Sequence, residues 1–146
     1  MSVTVRIAAR TDKENCLALL QTLGSITGGT SSNNAGNVFD ALLDAARGLV
    51  LVAEDDGDIL GMASMSFNLA MRYGGEYCQL EELIVDPSAR GKNVGAALVE
   101  ATLRHARDRG CAEYGLYLLE STEHNRPFYE KFGLLAIGIE MRQVLT

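Results

Sequence analysis

The chain has 146 residues, 47% of them hydrophobic, so one continuous core can form without disulfide or metal staples and a single domain over residues 1–146 is expected. Its formal net charge of -6 argues against a nucleic-acid partner, whose phosphates it would repel, and suits a cationic substrate. Cys16, Cys78 and Cys111 are odd in number and widely spaced, which fits neither a disulfide framework nor a metal knuckle and implies free thiols in a reducing compartment.

Met1 to Ala9 lack the apolar run of a signal peptide, and no stretch reaches the roughly twenty apolar residues that span a bilayer, so a cytoplasmic protein without membrane contact is expected. Val3, Val5 and Ile7 alternate with polar residues as in a half-buried strand. Thr11 and Glu14 have the spacing of a capping box, predicting a helix from Asp12 to about Leu23. Gly24 to Gly36 is almost entirely Gly, Ser, Thr and Asn and reads as a loop, followed by a second helix over about Asn37 to Arg47. Two strands, Leu49 to Ala53 and Ile59 to Phe67, flank the tight acidic turn Asp55-Asp56-Gly57-Asp58. After a loop over Asn68 to Gly75, Tyr77 to Val85 is a further strand, stopped by Asp86-Pro87.

Val94 to Arg109 shows a broad apolar arc and predicts a largely covered helix with Gly110 as its left-handed cap. A strand over Tyr114 to Leu119, a short helix over about Asn125 to Phe132 and a last strand within Leu134 to Val144 complete the order. The whole describes a mixed α/β sheet in which Tyr77 to Leu119 forms a parallel βαβ unit.

The richest segment is Val85-Asp86-Pro87-Ser88-Ala89-Arg90-Gly91-Lys92-Asn93-Val94-Gly95-Ala96, which leads from a strand into the long helix. The first turn of a helix has N–H groups without intrahelical partners and the positive end of the dipole, so main chain alone can hold a pyrophosphate there. Gly91 and Gly95 permit close approach, while Arg90 and Lys92 add charge. In isolation such a turn is equally a tight connection with two solvated basic residues. It lacks both the dinucleotide-binding glycine fingerprint and the Gly-Lys-Ser/Thr of a Walker loop.

With this loop, Leu80-Glu81-Glu82-Leu83-Ile84-Val85 before it, and Phe128-Tyr129-Glu130-Lys131-Phe132-Gly133-Leu134 after it, the chain resembles the GNAT superfamily of acyl-CoA-dependent N-acetyltransferases. The family's signature is Arg or Gln, two residues, Gly, one residue, then Gly or Ala. Arg90 and Gly95 match it, and Asn93 stands in place of the first glycine. Asn best tolerates a left-handed backbone among non-glycine residues, so the loop can keep its shape. The resemblance implies a mostly antiparallel central sheet with helices on both faces and acetyl-CoA as cosubstrate. It further implies that the main chain of Leu83, Ile84 and Val85 pairs with the pantetheine arm. The N–H groups of Gly91, Lys92, Asn93, Val94, Gly95 and Ala96 would hold the pyrophosphate.

A primary amine has a pKa of about 10 and must lose a proton before it attacks a thioester. Glu81 and Glu82 stand beside the expected thioester, strand alternation predicts opposite faces for them, and one is expected to be the general base, with Glu82 preferred. Each is otherwise a surface carboxylate or an ion-pair partner. Tyr129 is the candidate general acid for the leaving thiolate, rotated about 100° from the core-facing Phe128. Without that role it is a boundary aromatic. A backbone N–H beside Val85, freed by a bulge, would stabilise the oxyanion. Asn125 reads first as a helix N-cap and second as a coenzyme contact. His105 reads as a packed histidine and His124 as a solvated one, and no metal site is predicted.

The acceptor is expected to be a small-molecule primary amine contacted by Gly24 to Gly36 and by Met71, Arg72 and Tyr73. The alternatives are a protein lysine or N-terminus, or a non-catalytic acyl-CoA-binding module. A homodimer through the C-terminal strands is the expected assembly.

Overall fold

The computed structural model describes residues 2–27 and 34–146, with side chains described throughout except in 23–27. Five strands form one sheet in the order β1-β2-β3-β4-β5: β1 Thr4–Ile7, β2 Gly48–Asp55, β3 Asp58–Ala70, β4 Gly75–Val85 and β5 Tyr114–Leu116. The first three pairings are antiparallel and β4 with β5 is parallel. The crossover is α3, Val94–Arg109, capped by Gly110 at φ 84. The fold is thus mixed α/β and mostly antiparallel, as the resemblance implies.

The sheet carries apolar residues on both faces. On one, Met62 and Ile84 pack with Cys16, Leu19 and Phe39, which come from α1 (Lys13–Thr27) and α2 (Ala35–Leu42). On the other, Met65 and Cys78 pack with Ala106 of α3. Gly61 lets α3 lie close to this second face, since a Cβ there would meet Ile84 O at 2.8 Å and Val94 Cγ1 at 3.1 Å. Burial pushes the Cys16 thiol up to about 11 and the Cys78 thiol up to about 12, so neither is a nucleophile at neutral pH.

The β2–β3 turn has the geometry its residues dictate. Asp55 pairs with Asp58, and the two residues between, Asp56 and Gly57, take φ values of 53° and 87°, the left-handed pair of a tight hairpin.

Several boundaries differ from the sequence reading. α1 runs through Gly24 to Thr27 rather than stopping at Leu23, because extending a formed helix through one glycine costs only about 1 kcal/mol. α2 starts at Ala35, so Ala35 and Gly36 are also helical, while 28–33 lie outside the described residues. α2 ends at Leu42 instead of Arg47: Asp44 accepts from the Ala46 N–H at 2.9 Å and Ala45 turns left-handed at φ 62.

The Thr11–Glu14 capping box is replaced by a bond from the Ala9 N–H to Asp12 at 2.7 Å, and Arg6 holds the same carboxylate at 2.7 Å. The loop expected over Asn68 to Gly75 shrinks to Met71–Gly74, since β3 and β4 stay paired to Ala70 and Gly75. β5 stops at Leu116 rather than Leu119.

Close contacts divide the chain into two compact units, Met1–Leu116 and Tyr117–Thr146. The second holds α4, Arg126–Glu130, with Pro127 in its first turn and shorter than the Asn125 to Phe132 of the sequence reading. Phe128 meets Tyr129 and Phe132 edge-on at 5.0 and 5.3 Å. The strand expected within Leu134 to Val144 is not formed, and Leu135, Ile137, Ile139 and Met141 are exposed. Alternation specifies a face for burial, but a strand also needs a neighbour for its N–H and C=O groups.

Candidate functional site

Between β4 and α3 the chain makes a short turn. Asp86 accepts from the Ser88 N–H at 2.8 Å and from the Ser88 hydroxyl at 2.7 Å, and these bonds hold its carboxyl below the usual range. Gly91 then takes φ 84 and Asn93 φ 58, both left-handed. Asn93 therefore adopts the backbone that glycine would, as its type allows. Its carbonyl accepts the first bond of α3, from the Ala97 N–H at 3.1 Å. The N–H groups from Gly91 to Ala96 have no protein partner among the described residues. They converge with the positive end of a sixteen-residue helix and the exposed side chains of Arg90 and Lys92. Such a turn can hold a diphosphate.

The strand leading to it is open on one side. β5 pairs with β4 only at Cys78, Gln79 and Leu80, so from Glu81 to Val85 the edge away from β3 has no strand partner among the described residues. Leu83, Ile84 and Val85 can pair there with an extended ligand.

Where β5 leaves off, β4 is irregular. Ser64 lies opposite Glu82 and Met65 opposite Leu80, so Glu81 is an extra residue without a counterpart on β3. This bulge resets the alternation. Before it, Tyr77, Gln79 and Glu81 share one face; after it, Glu82 and Ile84 share that same face, the one Ile84 packs with Met62 and Phe39. Glu81 and Glu82 therefore project together rather than to opposite faces. The bulge also sits at Glu81 and not beside Val85, so the oxyanion donor expected there is not created by it.

Each carboxylate has a hydroxyl on β3. Ser66 donates to Glu81 at 2.6 Å, Ser64 donates to Glu82, and Asn68 donates to the Ser66 hydroxyl at 3.1 Å. Burial raises the Glu82 carboxyl, the Ser64 bond opposes that rise, and the charge of Glu81 adds to it. A carboxylate raised by burial is a better proton acceptor than one in water. Sequence reasoning missed Ser64, Ser66 and Asn68. Their one signal is period-two polarity in β3, which interrupts an otherwise apolar strand.

In the second unit, burial raises the Tyr129 phenol, and its hydroxyl makes no hydrogen bond among the described residues. Asn125 occupies the N-cap position of α4, but its side chain makes no capping bond. His105 is half-buried on α3 and His124 is exposed. Among the described residues, no group of three or more His, Cys, Asp or Glu is placed to hold a metal.

Residues 19–134 match the Acetyltransferase (GNAT) family. A probable glucosamine 6-phosphate N-acetyltransferase 2 of Oryza sativa subsp. japonica is 30% identical over 146 residues, covering 96% of this chain and 86% of that one. A glucosamine 6-phosphate N-acetyltransferase of Trypanosoma brucei brucei is 35% identical over 94 residues, 64% of this chain; the match spans 62% of that relative's length. The crystal structure of a Trypanosoma brucei acetyltransferase superimposes with a TM-score of 0.79 at 29% identity, covering 99% of this chain and 100% of that one.

Proposed function

The chain belongs to the GNAT family of acetyltransferases, and from that premise we propose that it acts as one domain, 1–146, moving the acetyl group of acetyl-CoA to the primary amine of a small molecule. The observation that carries this is the run of unpartnered N–H groups from Gly91 to Ala96 at the end of an open strand edge, with two carboxylates on that strand. Bound acetyl-CoA would supply the thioester.

Gly91, Lys92, Asn93, Val94, Gly95 and Ala96 hold the pyrophosphate through main chain, Arg90 adds charge, and Leu83, Ile84 and Val85 align the pantetheine arm. Asn125 remains a further coenzyme contact in this reading, as the resemblance implies. The paired negative charges of Glu81 and Glu82 attract an ammonium. Glu82, raised by burial, takes its proton, and the freed nitrogen attacks the carbonyl carbon. The carbon–sulfur bond breaks, Tyr129 protonates the departing thiolate, and the second proton of the acylated nitrogen passes through solvent to the tyrosinate, leaving the neutral amide. Transfer is direct, with no acyl-enzyme.

An amino sugar phosphate is the first acceptor to test, because the rice and trypanosome relatives are named for glucosamine 6-phosphate. The free thiols Cys16, Cys78 and Cys111 support a cytoplasmic setting. The exposed alternation of Leu135, Ile137, Ile139 and Met141 supports a homodimer through the C-terminal segment, which sedimentation measures.

Thiol release from acetyl-CoA over a panel of small amines, peptides and proteins, beside calorimetric binding of acetyl-CoA, tests the function. Turnover with a small amine is the expected result. Turnover with peptides or proteins alone makes the acceptor a lysine or N-terminus, and binding without any turnover makes the chain an acyl-CoA-binding module. Tyr129→Phe is expected to lower kcat; full turnover would remove its role as acid.

A further inference from the structure

The acceptor-side face of the sheet is polar along β3 as well as β4. Ser64 is 3% exposed and lies opposite Glu82 in the register, and beyond the bulge its hydroxyl points at that one carboxylate. A buried polar group costs stability unless it is bonded, and a methyl would fill the same space without that cost. Ser64 and Glu82 satisfy each other next to the bulge, where β4 loses β5 as a partner and its open edge begins.

We propose that Ser64 is a positioning residue for acetyl transfer, its hydroxyl fixing the Glu82 carboxylate in the orientation from which it takes the acceptor's proton. This rests on Glu82 as the general base.

The electrostatics agree with the geometry. Burial and the charge of Glu81 both push Glu82 upward, and the Ser64 bond pulls against them. Among the described titratable groups on the surrounding elements, β3 has only Asp58 at its start, β4 has Glu76, paired to Arg109 at 2.8 Å, with Tyr77 and Cys78, β5 has Tyr114, and α1 has Lys13, Glu14 and Cys16, with Lys13 paired to Asp40 of α2 at 2.9 Å. Those of α3 sit on the helix covering the opposite face, which leaves Glu81 as the charge acting on Glu82. Removing the hydroxyl raises Glu82 further. Because the base works ionised, the acid limb of the rate profile moves to higher pH.

The test compares Ser64→Ala with Ser64→Thr, which keeps the hydroxyl. Two readouts are taken: the Glu82 midpoint by NMR of carboxyl-labelled glutamate, and kcat/KM against pH with acetyl-CoA and glucosamine 6-phosphate. In Ser64→Ala the midpoint and the acid limb are expected to rise together, with activity on the limb falling about tenfold and the KM for acetyl-CoA unchanged. Ser64→Thr is expected to restore both. An unmoved Glu82 midpoint in a folded Ser64→Ala protein overturns the proposal, and so does a Ser64→Thr protein that behaves like Ser64→Ala. Failure of the underlying reading shows separately, as full kcat in Glu82→Gln. The NMR midpoint requires no acceptor and so reports whatever the amine proves to be.

Discussion

Glu81 and Glu82 follow one another in β4, yet their carboxylates emerge on the same face, bonded to Ser66 and Ser64, which are two apart on β3. The extra residue in the β4 ladder is what allows this. A regular strand would bury one of the two carboxylates against α3.

The proposed mechanism gives the two different roles. Glu82→Gln is expected to lower kcat by roughly a hundredfold or more, the usual contribution of a general base. Glu81→Gln removes an exposed charge and is expected to act mainly by raising the KM of a cationic acceptor, several-fold and less so at high salt. Steady-state kinetics of both variants at two ionic strengths checks the assignment; equal loss of kcat in both would contradict it.

Asn93 holds φ 58 at the start of α3 without a side-chain bond. Asn93→Gly is therefore expected to leave acetyl-CoA binding and stability nearly unchanged. Asn93→Val places a β-branched residue in the left-handed region, which costs about 1–2 kcal/mol and tilts the N–H groups behind it. Calorimetry should show weaker acetyl-CoA binding for the valine variant alone.

Asp12 is 5% exposed and accepts from both nitrogens of the Arg6 fork, at 2.7 and 3.0 Å, and from the Ala9 N–H. The Arg6 bond, outweighing burial, lowers its carboxyl. A depressed carboxylate stabilises the fold above its unfolded value and loses that contribution as pH falls, here below about pH 4. Asp12→Asn should lower Tm at pH 7, with the gap to the unmodified protein closing toward pH 3. Melting curves across that range decide it, and a constant gap would refute the linkage.

Arg109 joins the end of α3 to β4, to β3 and to the turn after α2. It bonds Glu76 of β4 at 2.8 Å and the carbonyls of Ala45 and Ala46 at 2.8 and 2.7 Å, and lies 3.7 Å from the centre of the Phe67 ring. A planar fork serves all of these, and an ammonium cannot. Arg109→Lys is thus expected to lose most of what Arg109→Ala loses, about 1–3 kcal/mol, read from urea unfolding. Acetyl-CoA binding should be unaffected.

The turn before α3 was legible in the residues themselves, because its conformation is local: Gly91 and Asn93, which both accept a left-handed backbone, and a helix that begins just beyond them. The elements were legible for the same reason, as periodicity reports which side of a segment is apolar. Their ends were less so, since Gly24 lies inside a helix that cooperative bonding carries onward.

Tertiary structure alone decided which face the two glutamates share, which hydroxyls hold them, and where β4 opens. All three depend on register between strands distant in sequence, and a one-residue slip in that register reverses every side chain beyond it. The residues from Leu134 to Val144 make the same point in reverse. Their alternation is clear, but a strand is a relation between two segments, and no local pattern supplies the second.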